Sequence, residues 1–262
     1  FRPKYKILGA DVAGVVEGLG KNVTTFKIGD EVFGDISGSG WGAFAEYVCA
    51  SHKVLALKSD RMTFEQAAAI PQAGVMALQG LRDIRQIKPG QKVLINGAGG
   101  STGTFAIQIA KMYGAEVTAV DTNMKLEFMR SLGADHVIDY KKENFSENGQ
   151  QYDLILDVMA HHPMSDYMRA LSHEGICIMV GGSTTLLLKI MLRKSKYSKA
   201  GGKQMTILMH KPNPVDLQTM NELFESGKVV PIIDKIFPLS ETPEAIQHLG
   251  EAKALGKVVI SV

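Results

Sequence analysis

A glycine-rich turn between an apolar strand and an apolar helix limits the fold of this chain more than any other feature. The segment 93–103 reads VLINGAGGSTG, and an apolar helix pattern follows it over 105–113. Gly97 permits a tight turn, Gly100 lets the backbone approach a pyrophosphate, and Gly103 allows a helix to pack closely on the strand. Because free amides at the start of a helix attract anions, this order predicts a dinucleotide-binding loop. The alternative is a glycine-rich turn that holds no ligand.

Strand and helix patterns alternate along the middle of the chain. Apolar strand patterns occur at 93–96, 116–120, 136–138, 154–157, 176–180 and 206–209, with helix patterns at 74–84, 105–113 and 124–132. Alternation of this kind is typical of a parallel sheet with helices on both faces. The sequence therefore predicts an α/β fold with a doubly wound Rossmann sheet in this region.

The two ends of the chain carry a different pattern. Short strand patterns occur at 12–16, 27–34, 43–48 and 54–57, which favours a small barrel or sandwich. A helix-capping signature at 63–66 marks the change to the alternating region. After about Gly227 the tail has an extended segment, a helix and a final strand, and we expect it to return to the front. We predict one domain over 1–72 and 228–262 and a second over 73–227.

The composition is that of a soluble globular protein. Of the 262 residues, 45% are hydrophobic and 21% charged, and the net charge of +2 gives no strong attraction to nucleic acid or to a membrane. No apolar run is long enough to span a bilayer. The two cysteines, Cys49 and Cys177, lie far apart, which excludes a disulfide scaffold and a cysteine-rich zinc site. A reducing cytoplasm is the expected location.

An acidic residue ends the second strand of the alternating region. A carboxylate at Asp121 accepts hydrogen bonds from ribose hydroxyls and repels a 2′-phosphate, which favours NAD. Lys125 follows closely, and its ammonium reaches a phosphate at this position, which favours NADP. An ordinary helix N-cap is a further interpretation of Asp121. The choice between NADH and NADPH stays open.

Several segments along nearly the whole chain occur in an order that carries a family resemblance. They read ILGADVAGVVEGLGKNV, KIGDEVFG, GAFAEYV, AAIPQAGVMALQGL, VLINGAGGSTG, SLGADHVIDY and GKVVISV. Together they resemble the medium-chain dehydrogenase/reductase superfamily, in its zinc-free quinone oxidoreductase-like branch. The resemblance implies a GroES-like β-rich catalytic domain and a Rossmann domain, with the cofactor in the cleft between them. It also implies homodimers that pair through an edge strand of the Rossmann sheet, here 206–209.

The same resemblance bears on zinc and on the start of the chain. Zinc-dependent relatives carry Gly-His-Glu where this chain has Gly9, Ala10 and Asp11. Alanine has no lone pair for a metal, and the segment 35–42, where relatives hold a structural zinc, contains no cysteine. The resemblance thus implies a protein without zinc. We expect Asp11 to form hydrogen bonds at the start of a strand, and the alternative is a polar role near the nicotinamide. In relatives further strands and a helix come before this segment, so we expect that part of the catalytic domain is missing before Phe1.

The resemblance assigns further residues to the site. Met76 stands near the nicotinamide or is simply buried, and Tyr140 lies against the adenine or is an ordinary half-exposed tyrosine. Tyr47 borders the substrate, and Lys257 matches the lysine near the end of the family's sequences. The predicted cofactor-binding residues are Gly97, Gly100, Ser101, Thr102, Gly103, Asp121, Lys125, Tyr140, Val158, Gly181, Gly182 and Lys257, and the predicted pocket residues are Met76 and Tyr47.

Two segments keep open alternatives. Two adjacent histidines, His161 and His162, follow the strand pattern at 154–157. They are either a solvated loop pair, which we favour, or a metal or acid–base site that lacks a third ligand. The leucine-rich and then basic segment 185–199 favours a lid or pocket-lining helix over a membrane-surface helix.

The function implied by the resemblance is zinc-independent hydride transfer. The expected enzyme takes hydride from NADPH or NADH and gives it to a quinone, an enone or a related carbonyl compound. The catalytic residue is unknown, because a tyrosine, a backbone amide or water can each supply the proton. The alternatives are a nucleotide-binding protein or truncated remnant without turnover, and an enoyl-thioester reductase.

Overall fold

A computed structural model describes residues 6–197 and 202–262, with the backbone alone over 191–197. The chain forms two compact units. The first unit contains Phe1–Val75 and Lys211–Val262, and the second contains Met76–His210.

The front of the first unit is a small antiparallel sheet. Its strands are β1 (Asp11–Val15), β2 (Glu31–Asp35) and β3 (Leu55–Leu57), in the order β1-β2-β3. The central strand β2 buries Phe33 completely, which anchors the sheet to the core. Gly34 faces β3 so closely that a Cβ there would overlap the carbonyl oxygen of Val54. A side chain at this position would therefore push the two strands apart.

The strand predicted at 43–48 is wrong. This segment contains bends and no regular strand. The amides of Gly42 and Ala43 both donate to the oxygen of Gly9, at 3.0 and 3.1 Å, and the Phe44 amide donates to Leu8 O at 3.0 Å. Two of these bonds share one acceptor, whereas a regular strand pairs through a ladder of separate partners.

Two short helices follow the sheet. They are α1 (Phe64–Ala69) and α2 (Pro71–Arg82). The predicted capping signature is confirmed, since Thr63 and Gln66 form a reciprocal capping box with bonds of 3.0 and 3.2 Å. Pro71 begins α2, where the missing N–H of proline costs no hydrogen bond.

The second unit is built on a six-stranded parallel sheet. Its elements are β4 (Lys92–Asn96), α3 (Ser101–Met112), β5 (Glu116–Asp121), α4 (Leu126–Ser131), β6 (His136–Asp139), β7 (Tyr152–Asp157), α5 (Met164–Ala170), β8 (Leu171–Met179), α6 (Thr184–Tyr197) and β9 (Gln204–Ile207). The strand order is β6-β5-β4-β7-β8-β9, and every neighbouring pair is parallel. The predicted Rossmann sheet is confirmed.

The core of the second unit explains why its strands are apolar. Val93, Leu94 and Ile95 of β4 are fully buried, because helices cover a parallel sheet on both faces. Leu186 and Ile190 of α6 pack into the same core. The basic residues predicted to flank this helix, at 193–199, fall outside the described side chains.

The tail of the chain supplies the rest of the first unit. Its elements are α7 (Pro214–Glu225), β10 (Ile233–Pro238), α8 (Thr242–Gly250) and β11 (Lys257–Ser261), with β10 and β11 in parallel. The Asn221 amide donates to Leu57 O at 2.8 Å, and the Ser59 hydroxyl donates to Glu225 at 2.6 Å. These bonds tie α7 to the front of the first unit. The domain division predicted at 72 and 227 stays a prediction, and the compact units differ from it over 73–75 and 211–227.

A helix must hold about 20 mostly apolar residues to cross a bilayer. Across the parts of the chain that the structure describes, none of the helices is long and apolar enough to cross a membrane.

Candidate functional site

The strand order creates a switch point at the carboxyl edge of the six-stranded sheet. From β4 the chain builds β5 and β6 on one side and then β7, β8 and β9 on the other. Connections leave β4 and β7 in opposite directions, which opens a crevice outside the ends of these two strands. Ligands of open α/β sheets bind at such a crevice. The glycine loop follows β4, so it lies at this position.

The glycine loop owes two of its glycines to backbone geometry. Gly97 has φ +77°, a left-handed conformation that glycine adopts without strain. A Cβ on Gly103 would overlap the Gly97 oxygen and lie 2.5 Å from Ala98 Cα. Any larger residue at Gly103 would push α3 away from the loop. The close packing that we expected at Gly103 is therefore present.

Gly100 has a different reason to be glycine. It is the N-cap residue of α3 and has an extended conformation with φ −90°. A Cβ there would meet only the Gly97 oxygen, at 3.4 Å. Glycine offers no side chain to accept the first amides of α3, including those of Ser101, Thr102 and Gly103. These N–H groups and the positive end of the helix dipole form a place for an anion.

An ion pair lies against the glycine loop. Asp121, at the end of β5, accepts hydrogen bonds from the amides of Gly99 (2.9 Å) and Thr122 (2.8 Å). Lys125 Nζ lies 3.7 Å from the carboxylate. Only 8% of Asp121 and 5% of Lys125 are exposed, and a Cβ on Gly99 would lie 2.5 Å from Lys125 Cδ. The carboxylate stabilises the glycine loop. It does not cap the helical turn that follows, although the N-cap interpretation of Asp121 required that it should.

The ends of β7 and β8 complete the carboxyl edge. The Val158 amide donates to Asn96 O at 3.0 Å, which joins the end of β7 to the end of β4. The Ala160 amide donates to Gly181 O at 3.1 Å. Gly182 has φ +123°, and a Cβ there would overlap the backbone of Ala160. Both glycines thus permit the segments after β7 and β8 to lie side by side.

The sheet brings most of the predicted site residues to one edge. Those at or just after the carboxyl ends of β4, β5, β6, β7 and β8 are Gly97, Gly100, Ser101, Thr102, Gly103, Asp121, Lys125, Tyr140, Val158, Gly181 and Gly182. Tyr140 is half exposed, and its amide donates to Asp121 O at 3.2 Å. Met76 is half buried on α2, in the same unit.

Two predicted site residues belong to the first unit. Tyr47 is 77% exposed in the irregular segment after the bends. Lys257, on β11, forms an ion pair with Asp11, with Nζ 2.7 Å from Oδ2. The other carboxylate oxygen of Asp11 accepts a hydrogen bond of 2.9 Å from the backbone amide of Gln72, at the start of α2. Asp11 therefore joins β1, α2 and β11, and the Lys257 ammonium is already engaged.

A buried polar cluster beneath the edge went unrecognised in the sequence. Asp157, with no exposed surface, accepts hydrogen bonds from Asn96 Nδ2 (2.9 Å), the Met159 amide (2.9 Å) and Tyr167 Oη (2.7 Å). Burial raises the pKa of Asp157 in spite of these bonds, and burial also raises the pKa of Tyr167. A polar residue closes each of two buried strands, Asn96 in VLIN and Asp157 in LILD, and that signal was present in the sequence.

The histidine pair at 161–162 is only partly solvated. His161 is exposed and its Nδ1 lies 2.7 Å from Met159 O. His162 packs edge-on against Phe145, and its Nδ1 is 3.7 Å from Asp166 Oδ2. Burial lowers the pKa of His162, and the neighbouring His161 lowers it further. Within residues 6–190 and 202–262, no three His, Cys, Asp or Glu side chains are grouped to hold a metal ion.

Three family models match the chain, and two of the matches overlap at 132–161. The model described as the alcohol dehydrogenase GroES-like domain matches residues 2–60. The model of the alanine dehydrogenase/PNT C-terminal domain matches 63–161, and that of zinc-binding dehydrogenase matches 132–260. The predicted combination of a GroES-like part with a Rossmann part is confirmed.

Known proteins match almost the full length of the chain. It is 34% identical to the chloroplast envelope quinone oxidoreductase homolog of Arabidopsis thaliana, over 97% of this chain and 79% of that protein. It is 35% identical to the chloroplastic NADPH-dependent alkenal/one oxidoreductase of the same plant, over 98% of this chain and 64% of that protein. The structure of the quinone oxidoreductase from Coxiella burnetii superposes with a TM-score of 0.86 at 31% identity, covering 97% of this chain and 79% of that one.

Proposed function

The chain belongs to the medium-chain dehydrogenase/reductase superfamily, in its quinone oxidoreductase-like branch, and on that premise we propose that it transfers hydride from a nicotinamide nucleotide to a quinone or an enone. The observation that carries this proposal is the glycine loop at the switch point, between β4 and α3. The names of the relatives support the acceptor class, since they include quinone oxidoreductases and an alkenal/one oxidoreductase.

The residues at the carboxyl edge fit a dinucleotide. Gly97, Gly99 and Gly100 carry no side chains, and the uncapped start of α3 offers amides to a pyrophosphate. We assign Asp121 and Lys125 to the adenosine ribose, and Val158 and Gly181 to the nicotinamide ribose. The bound nucleotide supplies the hydride. The role of the protein is to bind it, orient it and exclude water.

The Asp121–Lys125 pair bears on the choice of nucleotide. A lone carboxylate at this place would repel a 2′-phosphate and restrict the site to NADH. Lys125 offsets that charge from 3.7 Å and offers a cation to the same phosphate. The pairing supports a site that accepts both NADH and NADPH.

We propose that catalysis proceeds without zinc. Ala10 stands where zinc-dependent relatives have a histidine, and alanine cannot coordinate a metal. The proton that follows the hydride comes from a group that we leave unassigned. Dimerisation through β9, the terminal strand of the sheet, and a cytoplasmic location stay predictions.

Nucleotide titration followed by turnover tests the proposal. NADPH and NADH are titrated separately by fluorescence, and oxidation of each is then assayed with a panel of quinones and enones. We expect micromolar binding and turnover with at least one acceptor. For a glycine substitution in the loop, such as Gly100→Ala, the control is Gly250→Ala, at a glycine with nothing near its Cβ position. Absence of binding would overturn the assignment of the glycine loop, and binding without turnover would favour a nucleotide-binding protein.

A further inference from the structure

We infer that Asp157, Asn96 and Tyr167, here called the Asp157 cluster, fix the relative position of two loops: the glycine loop that would hold the pyrophosphate and the loop after β7 that would hold the nicotinamide ribose. The inference rests on the proposed function, because it assigns these loops to a nucleotide. It gives the three residues a positioning role, since each acts through the loops that follow β4 and β7.

The cluster ties three separate elements to one carboxylate. Asn96 ends β4 and Tyr167 lies on α5, and both donate to Asp157 at the end of β7. The Met159 amide donates to the same carboxylate from the loop itself, at 2.9 Å. Three donor atoms from different elements are thus held by one fully buried side chain.

Both loops begin at members of the cluster. Gly97 follows Asn96 directly, and Val158 follows Asp157. The loops also touch, because a Cβ on Gly97 would lie 3.1 Å from Met159 Cγ and 3.4 Å from Val158 Cβ. A small rotation of the Asp157 side chain would therefore change the distance between the Gly97 turn and the segment after β7.

Packing alone does not account for a carboxylate here. A buried carboxylate is costly even when hydrogen-bonded, and burial raises the pKa of Asp157. An apolar side chain of similar size would fill the space at lower cost, but it would leave Asn96 and the Met159 amide without an acceptor. The directed bonds to both loops are what the carboxylate adds.

Hydrogen bonding, and not charge, is the property that positions the loops. An asparagine at 157 keeps the bonds from Asn96 and Met159 through its oxygen, and it replaces the third with a reversed bond from its own amide to the Tyr167 oxygen. Tyr167→Phe instead removes a donor and frees one carboxylate oxygen to turn. The two variants therefore separate bonding from charge.

The test compares nucleotide affinity in Tyr167→Phe, Asp157→Asn and Tyr152→Phe. Tyr152 is the matched control for Tyr167, because both tyrosines are buried in the same core. Tyr152 lies at the start of β7, whereas the Asp157 carboxylate lies at its other end. We expect Tyr167→Phe to weaken nucleotide binding by roughly three- to tenfold. Tyr152→Phe should stay within about twofold of the parent protein, and Asp157→Asn, which keeps the bonds from Asn96 and Met159, should weaken binding less than Tyr167→Phe does. Unchanged binding in Tyr167→Phe, or equal weakening in Tyr152→Phe, would overturn the inference.

Amide exchange in the nucleotide-free protein gives a second, independent readout. We expect Tyr167→Phe to speed exchange in both loops, 97–100 and 158–160, while Tyr152→Phe leaves both unchanged. Asn96→Ala, which removes the other side-chain donor, replaces Tyr167→Phe if that variant does not fold. A parent protein that binds neither nucleotide would refute the proposed function, whereas unchanged exchange in both loops would refute the positioning role alone.

Discussion

At the residue scale, Gly100 and Gly103 serve the same loop for different reasons, and substitution separates them. Gly103→Ala places a methyl group against the Gly97 oxygen and Ala98, both backbone, so we expect a loss of about 2 kcal/mol in the free energy of unfolding. Gly100→Ala meets only one atom at 3.4 Å and should fold normally. Its methyl group stands beside the anion position and should weaken nucleotide binding about tenfold.

Urea unfolding and nucleotide titration of both variants check this prediction. If Gly100→Ala binds nucleotide as tightly as the parent while Gly103→Ala loses stability, the loop is structural and the anion position lies elsewhere.

The pair Asp121 and Lys125 gives a second prediction at this scale. Asp121→Asn still accepts the Gly99 amide but removes the negative charge, so we expect the affinity for NADPH to rise about tenfold relative to NADH. Lys125→Met should shift the ratio in the opposite direction, because it removes the cation that a 2′-phosphate would meet. Dissociation constants for both nucleotides provide the ratio. Equal ratios in parent and variants would show that the 2′ position is recognised by other groups.

Individual site residues differed in how far sequence could predict them. Gly97 and Gly103 were predictable, because the backbone demands at these positions leave glycine as the residue that fits. The Asp157 cluster was not, since Asn96 and Asp157 are 61 positions apart and meet only when β4 pairs with β7. A polar residue at the end of an apolar strand is a signal, but it does not name its partner.

At the element scale, Asp11 joins β1, α2 and β11, and its removal should break the contacts that hold these three elements together. We expect Asp11→Ala to lower the free energy of unfolding by about 2 kcal/mol, because the Gln72 amide and the Lys257 ammonium both lose their acceptor. Asp11→Asn retains the bond to Gln72 and should cost less. Urea titration measures both. Asp60→Ala, at an exposed aspartate, is the control and should change stability by less than about 0.5 kcal/mol. Equal stability of Asp11→Ala and this control would contradict the assignment.

Elements of the second unit were easier to predict than those of the first. Buried parallel strands are continuous apolar runs, and this pattern located β4, β5 and β7. The short helix α5 was missed because a single segment of seven residues, MSDYMRA, shows too little periodicity. The segment 43–48 has strand-like residues, but its first amides bond to the carbonyls of Leu8 and Gly9, which no local pattern reveals.

At the scale of the whole molecule, the order of the family segments predicted both the GroES-like part and the Rossmann part. The grouping of the chain into compact units was harder to predict, because it depends on contacts between residues that are far apart in the sequence. Residues 211–227 looked like a continuation of the alternating region. The structure groups them with the first unit because α7 bonds to Leu57 and Ser59, more than 160 positions earlier. Sequence distance of that size hides the partner of a helix whose own pattern is clear.

The last prediction concerns metal and the whole reaction. One matching family model is described as zinc-binding dehydrogenase, yet Ala10 removes a ligand that zinc-dependent relatives use. Three protein ligands are the usual minimum for a catalytic zinc, and the described part of the chain groups no such set. We expect metal analysis of the purified protein to give far less than one zinc per chain, and chelator treatment to leave nucleotide oxidation by the acceptor unchanged within about twofold. A zinc-dependent alcohol dehydrogenase treated in parallel should lose its activity. One tightly bound zinc per chain, lost together with activity, would place a metal in the mechanism and refute the argument from Ala10.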